Sequence, residues 1–178
     1  MNVSKQDNAE SLKEAMRQLP FPVAIATAAI GKEKRGITIG SFTSLSLSPP
    51  LISFNIDHEA QIHPLISRAT HYAVHLPQPE QSSLCDHFAI SGQTSEEQFE
   101  DVDYFRSSYG SPILRAIPTI IQCRSYEKVK AGDHTIMIGE VVEVEQRNSR
   151  PSVLYYDRSY RSIGPSVPDK KPKVKRAG

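Results

Sequence analysis

Hydrophobic and polar positions alternate most sharply between Phe42 and Ser48, where Leu45 and Leu47 interleave with Ser44, Ser46 and Ser48. Period two is the mark of a β-strand with two unlike faces. The pattern therefore predicts a strand with leucines turned inward and small hydroxyls, Thr43 included, turned out. Pro49 and Pro50 end it, because proline has no N–H for a ladder, and Leu51–Asp57 resumes as a compact strand. Upstream, Ser11–Leu19 sets Leu12, Ala15, Met16 and Leu19 on one helical face, closed by Pro20. Pro22–Ile30 predicts a strand, ended by the turn-like GKEKRG.

Downstream, a short helix over Ile62–Arg68 precedes a strand at Tyr72–Leu76, and Leu84, Phe88 and Ala89 fall at helical spacing. Ile117–Val129 and His134–Gln146 are the longest β-rich runs. The KAGDH turn between them predicts a long antiparallel hairpin. Ser152–Ile163 is aromatic and predicts a last strand with a loop. At least six strands, short helices and no βαβ alternation predict a mainly β fold, an antiparallel barrel with short helical insertions. In that barrel the leucines of the alternating motif fill the interior. Its hydroxyls face a loop, a ligand or a second subunit. From Gly164 onward proline and lysine dominate, so the expected organisation is one domain over 1–164 and a disordered basic tail over 165–178.

Charge sharpens the question posed by the hydroxyl strand, since no ionisable side chain stands between Arg35 and Asp57. Elsewhere charges balance to a formal net of +1. Asp169–Arg176 holds five bases and one acid, a net of +4, which leaves the remainder at −3. A slightly acidic body without tryptophan and with 7% aromatic residues offers little base-stacking surface, so a nucleic-acid-binding barrel ranks last among the readings. Cys85 and Cys123 make no disulfide framework, and no apolar run suggests a signal peptide or a spanning helix. The expected setting is the cytoplasm, with no membrane partner.

No nucleophile elbow, Walker loop or dinucleotide-binding glycine motif is present. His71 and His75 share a spacing that suits zinc on a helix. On a strand it separates them by roughly 13 Å, too far for one ion, and no metal is expected. Asp133 and His134 follow Ala-Gly as good turn chemistry, and locally His134 needs no role beyond starting a strand. Tyr155, Tyr156 and Tyr160 read equally as core filler. Small hydroxyls with free backbone N–H groups can hold a phosphate or the edge of a heteroaromatic ring, or can simply face water.

GITIGSFTSLSLSPPLISFNI, from Gly36 to Ile56, closely resembles the signature of the flavin reductase family, whose fold is the FMN-binding split barrel. FAISG, AGDHTIMIGEV and VLYYDRSYRSIG resemble three further family segments in the family's order, so the resemblance spans about Leu19–Gly164. It implies a homodimer that holds FMN, or FAD, beside the subunit interface. It also implies NADH or NADPH as hydride donor and, in many members, a partner monooxygenase that receives the reduced flavin. Hydride transfer to flavin N5 needs stacked rings rather than an acid, base or nucleophile.

Carried over residue by residue, the resemblance implies that Thr38, Ser41, Thr43, Ser44 and Ser46 line the flavin. Asn55 and Ile56 offer backbone groups to its pyrimidine edge, and Phe88 packs near it. His134 positions the nicotinamide, and Tyr155, Tyr156 and Tyr160 close that side. Ala60 and Ile62 stand where the family often has small hydroxyls reaching the flavin phosphate, His75 replaces a common asparagine, and Asp157 stands where arginine is frequent. The function implied is an NAD(P)H:flavin oxidoreductase. The alternative is a flavin-binding electron-transfer protein of the same fold without efficient nicotinamide oxidation.

Overall fold

The computed structural model describes residues 5–148 and 150–166, so most of the expected tail lies outside the described residues. The chain opens with helix α1 (Lys5–Met16), a two-residue strand β1 (Phe21–Pro22) and strands β2 (Ala24–Ile30), β3 (Glu33–Ile39), β4 (Thr43–Leu47) and β5 (Pro50–Asp57). Helix α2 (His63–Ile66), strand β6 (His71–Leu76) and helices α3 (Ser82–His87) and α4 (Ser95–Phe99) follow. A small hairpin, β7 (Tyr104–Arg106) with β8 (Pro112–Leu114), leads into the long strands β9 (Thr119–Ala131) and β10 (His134–Gln146). A last hairpin joins β11 (Leu154–Tyr156) to β12 (Ser159–Arg161).

Seven strands form one antiparallel sheet in the order β3-β2-β6-β9-β10-β5-β4. β2 is buried on both faces because its alternation serves two cores. Ala24, Ala26 and Ala28 pack with Phe54, Leu65, Tyr72 and Met137, whereas Val23 and Ile25 pack with Cys85, Phe88, Phe99 and Leu114. Small residues on the first face let α2 approach. At Gly139 on β10 a Cβ would stand 2.1 Å from the Tyr72 hydroxyl, so only glycine lets that phenol cross the sheet toward Phe54. Cys85 and Cys123 are both buried free thiols.

The fold is mainly β, as expected, and among the described residues no ladder joins the two ends of this sheet. Its two edges, β3 and β4, are consecutive in the chain and joined by Gly40–Phe42, and β3 returns to lie against β5. A split remains between them, bridged at Ser41, whose Oγ accepts the Asn55 N–H at 2.9 Å.

Several expectations need correction. GKEKRG is not a turn: only Gly31 and Lys32 turn, with Gly31 at φ +58°, and Glu33 already pairs with Ile30. Its charges sit on an edge strand, where they protect an unpaired ladder from other chains. The leucines of the alternating motif do not fill the interior. Leu45 is 50% and Leu47 88% exposed. Ser44 pairs with Ile52 and Ser46 with Leu51, so Leu45 is the extra residue of a bulge that breaks the alternation on a strand with one neighbour. Pro49 and Pro50 turn the chain rather than end the pairing, since Pro50 faces Leu47 across the hairpin. The first helix lies earlier than expected and leaves Leu12 and Leu19 exposed.

Candidate functional site

The split opens into a cleft of about 410 Å³. One wall is the end of β3, Ile37–Ile39, with Gly40 and Ser41; the other is Asn55–Asp57 of β5; His134 and Phe21 stand at its margins. Asn55 directs its N–H to Ser41, and consecutive residues of an antiparallel strand point their peptides to opposite sides. The peptide of Ile56 therefore faces β10, and at this wall it is Asn55, not Ile56, that carries the cleft-facing backbone groups. Thr38 lines the cleft, but its hydroxyl donates to Cys85 O at 2.6 Å and its N–H to Phe88 O at 3.1 Å, so it fastens α3 to β3 and keeps only lone pairs for a ligand.

His134 begins β10 opposite Asp57. Its Nδ1 lies 2.7 Å from Asp133 Oδ1, and this bond holds the Asp133 carboxyl below the usual carboxylate range. With the Nδ1 proton donated to Asp133, the neutral ring leaves the Nε2 lone pair as an acceptor. The hairpin turn is fixed to the end of β5 by the His58 N–H, which donates to Asp133 O at 2.9 Å. Behind it the buried Thr135 hydroxyl meets His58 Nε2 at 3.1 Å and His63 Nε2 at 2.9 Å. Thr135 has one proton to give, so it donates to one ring and accepts from the other. Burial, then the neighbouring His58, lowers the His63 pKa below that of a free imidazole.

A second cavity of about 540 Å³ shares Phe21, Thr38, Ile39 and Gly40 with the cleft and extends to Tyr155, Tyr160, Asp86 and Arg158. Tyr155 and Tyr160 meet edge to face with centroids 5.3 Å apart, and burial, then the Cys85 and Asp86 side chains, pushes the Tyr160 phenol up. Tyr156 is not with them. Successive residues of a strand face opposite ways, and it stands beside Glu14, Arg17 and Gln18. Thr43, Ser44 and Ser46 also stay outside the cleft: they lie on the exposed edge strand β4, and Ser46 Oγ accepts the Ser48 N–H at 3.2 Å.

Phe88 is fully buried and lies on Gly36, where a Cβ would come within 2.5 Å of its ring. Gln98 secures the same glycine, with Oε1 accepting the Gly36 N–H at 2.9 Å and Nε2 donating to Gly36 O at 3.0 Å. Sequence reasoning passed over Phe21, Ile37, Gly40 and Gln98. For Gln98 the sequence carries no signal, because its partner lies 62 residues away.

The histidine pair at 71 and 75 is divided by its surroundings. His75 is wholly buried, with Nδ1 3.0 Å from Ile25 O and Nε2 accepting the Leu114 N–H at 3.1 Å. His71 stacks on Tyr109. Among the described residues no group of three or more His, Cys, Asp or Glu could hold a metal ion.

The cleft suits a flat ring with a hydrogen-bonding edge: apolar side chains from β3, a hydroxyl and a peptide at the split, and one imidazole at the rim. A family model for the flavin reductase like domain matches residues 16–164. The FMN reductase (NADH) SmoA of Agrobacterium fabrum is 32% identical over 82% of this chain and 81% of its own. The reductase component of 4-hydroxyphenylacetate 3-monooxygenase from Thermus thermophilus is 30% identical over 86% of this chain and 96% of its own. The crystal structure of flavin reductase HpaC complexed with NADP+ superposes with a TM-score of 0.80 at 32% identity, covering 87% of this chain and 97% of that one. The match takes in the whole seven-stranded sheet, the split and the last hairpin, and on that ground this chain belongs to the flavin reductase family.

Proposed function

We propose that this chain is an NAD(P)H:flavin oxidoreductase that binds FMN, or FAD, in the cleft between β3 and β5 and hands on the reduced flavin. The observation that carries the reading is the split itself, which leaves a ring-sized, largely apolar cleft with the Ser41 hydroxyl, the Asn55 peptide and His134 around it. The relatives support it: one is named as an NADH-dependent FMN reductase and one as the reductase component of a monooxygenase.

When bound, flavin supplies a ring that accepts a hydride from reduced nicotinamide. The protein's own residues hold and orient. The Ser41 hydroxyl, which accepts the Asn55 N–H at 2.9 Å and makes only a long 3.4 Å contact to Asn55 O with its own proton, would hold the polar edge of the ring. Ile37, Ile39 and Phe21 keep water from its faces. His134, held by Asp133, presents Nε2 as an acceptor for the amide N–H of the nicotinamide carboxamide. Tyr155 and Tyr160 close the adjoining cavity over the dinucleotide. Thr38 and Phe88 keep α3 against β3, so the wall stays in register with the split. Orientation of this kind is the main lever in a reaction that needs no proton shuttle.

The assembly proposed is a homodimer built on β4. Leu45 and Leu47 are exposed there, and an exposed apolar edge strand needs a cover. In such a dimer Thr43, Ser44 and Ser46 would lie at the interface and reach the cofactor from there, with Tyr156 further out. The catalytic body is the single domain 1–164. No helix among the described residues is long and apolar enough to cross a membrane, and the two buried free thiols accord with a reducing, cytoplasmic setting. The partner that receives the reduced flavin would be a monooxygenase.

Steady-state oxidation of NADH and NADPH with FMN and FAD as acceptors tests the reading. Flavin-dependent loss of the nicotinamide absorbance is expected. No turnover with any of the four pairs would overturn it.

A further inference from the structure

Ile37 of the cleft also borders a smaller cavity of about 100 Å³. Its walls are Arg35 and Gly36 of β3, the Glu59–Ile62 turn and the Phe88–Ser91 segment after α3. The space is about a quarter of the 410 Å³ cleft, so it suits a phosphoryl group rather than a ring. Ile37 borders both this cavity and the cleft, so a ligand whose ring fills the cleft has one residue to pass before its side chain enters here.

The cavity holds an unanswered charge. Arg35 is half-buried, its Nη1 donates to Gln93 O at 2.5 Å, and its Nε is buried with no acceptor at all. No carboxylate pairs with it among the described residues; Glu59, the acid on the rim, is exposed and forms no ion pair with it. Of the other polar groups on the wall, two glutamine side chains already hold backbone, while the exposed Ser91 hydroxyl makes no hydrogen bond within the chain. Gln98 is used up by Gly36, and Gln61 Oε1 accepts the Gly92 N–H at 3.0 Å, which ties the two loops together. Ala60 and Ile62 offer no donor. A guanidinium anchored to one carbonyl, lining a phosphate-sized space and with no carboxylate to neutralise it, is suited to a tetrahedral anion.

We propose that Arg35 is the phosphate-holding residue of this site. It binds the phosphoryl group of FMN, or the pyrophosphate of FAD, in the smaller cavity that Ile37 borders, and so makes the chain select phosphorylated flavins over riboflavin. The inference rests on the flavin reading of the cleft. FMN and riboflavin share a ring and differ in the phosphate, which separates the two claims.

Titration of the full chain with each flavin, followed by quenching of flavin fluorescence, reads the effect without turnover. Wild type is expected to prefer FMN. Arg35→Gln should weaken FMN roughly ten- to a hundredfold, the worth of a charge-assisted bond, and leave riboflavin within about twofold. Arg35→Lys should fall between, keeping the charge without the fork. Unchanged FMN affinity in Arg35→Gln would overturn the inference. So would equal weakening of both flavins, which would make Arg35 a prop for the Gln93 loop. A wild type that binds both flavins alike also sinks this inference alone. A wild type that binds neither sinks the flavin reading and this inference with it.

Discussion

Replacing His75 by asparagine should remove a pH dependence of stability that the fold builds in. Both ring nitrogens of His75 are spent on the backbone, Nδ1–H on Ile25 O and Nε2 on the Leu114 N–H, and the side chain has no exposure to water. Burial lowers its pKa from 6.5 to about 4, since a proton on Nε2 would be desolvated and would displace the Leu114 bond. The folded value lies below the unfolded one, so stability is complete above about pH 6.5. It falls as the pH drops toward 4, because the unfolded chain takes up the proton first. A shift of this size makes the full loss about 3 kcal/mol below pH 4 and about 2 kcal/mol at pH 5. Asparagine keeps one donor and one acceptor but does not titrate. Urea denaturation of both proteins at pH 7, 6 and 5 measures the effect. The wild type should lose about 2 kcal/mol more than His75→Asn between pH 7 and 5. Parallel pH profiles would refute the argument.

Gly36→Ala would place a methyl 2.5 Å from the Phe88 ring, so it should cost roughly 1–3 kcal/mol and weaken flavin binding together, read by urea melts and titration; an unchanged midpoint would mean the ring has room to yield. His134→Ala should raise KM for the nicotinamide or slow flavin reduction by about tenfold, near 1.4 kcal/mol, with flavin affinity unmoved. Wild-type reduction kinetics in that variant would return His134 to a turn residue. Leu47→Asp should split the proposed dimer, as measured by sedimentation; a dimer that persists would remove β4 from the interface.

The long hairpin was legible because its β-branched runs flank an Ala-Gly-Asp turn, and the expected Ile117–Val129 and His134–Gln146 differ from β9 and β10 by two residues at most. Edge strands were not. β3 carries Glu33, Lys34 and Arg35, which read as a turn, and β4 carries leucines that read as core. Period two reports that a strand has two faces, but not whether a layer covers either one. The short β7–β8 hairpin, with Pro112 in its second strand, lacks the length from which periodicity is read. At the cleft, Ser41, Asn55 and His134 were legible only through the family resemblance of their segments, since locally His134 reads as the start of a strand. Arg35 and Gln98 were not, because their roles come from partners 58 and 62 residues away.

Anaerobic mixing of the flavin-loaded protein with NADH, and separately with NADPH, tests the central claim most directly. The account predicts that at least one dinucleotide bleaches the bound flavin in a single exponential phase whose rate saturates with its concentration, the sign of a nicotinamide seated in the cleft before the hydride moves. A bound flavin that stays oxidised with both, yet is reduced by dithionite, would contradict it.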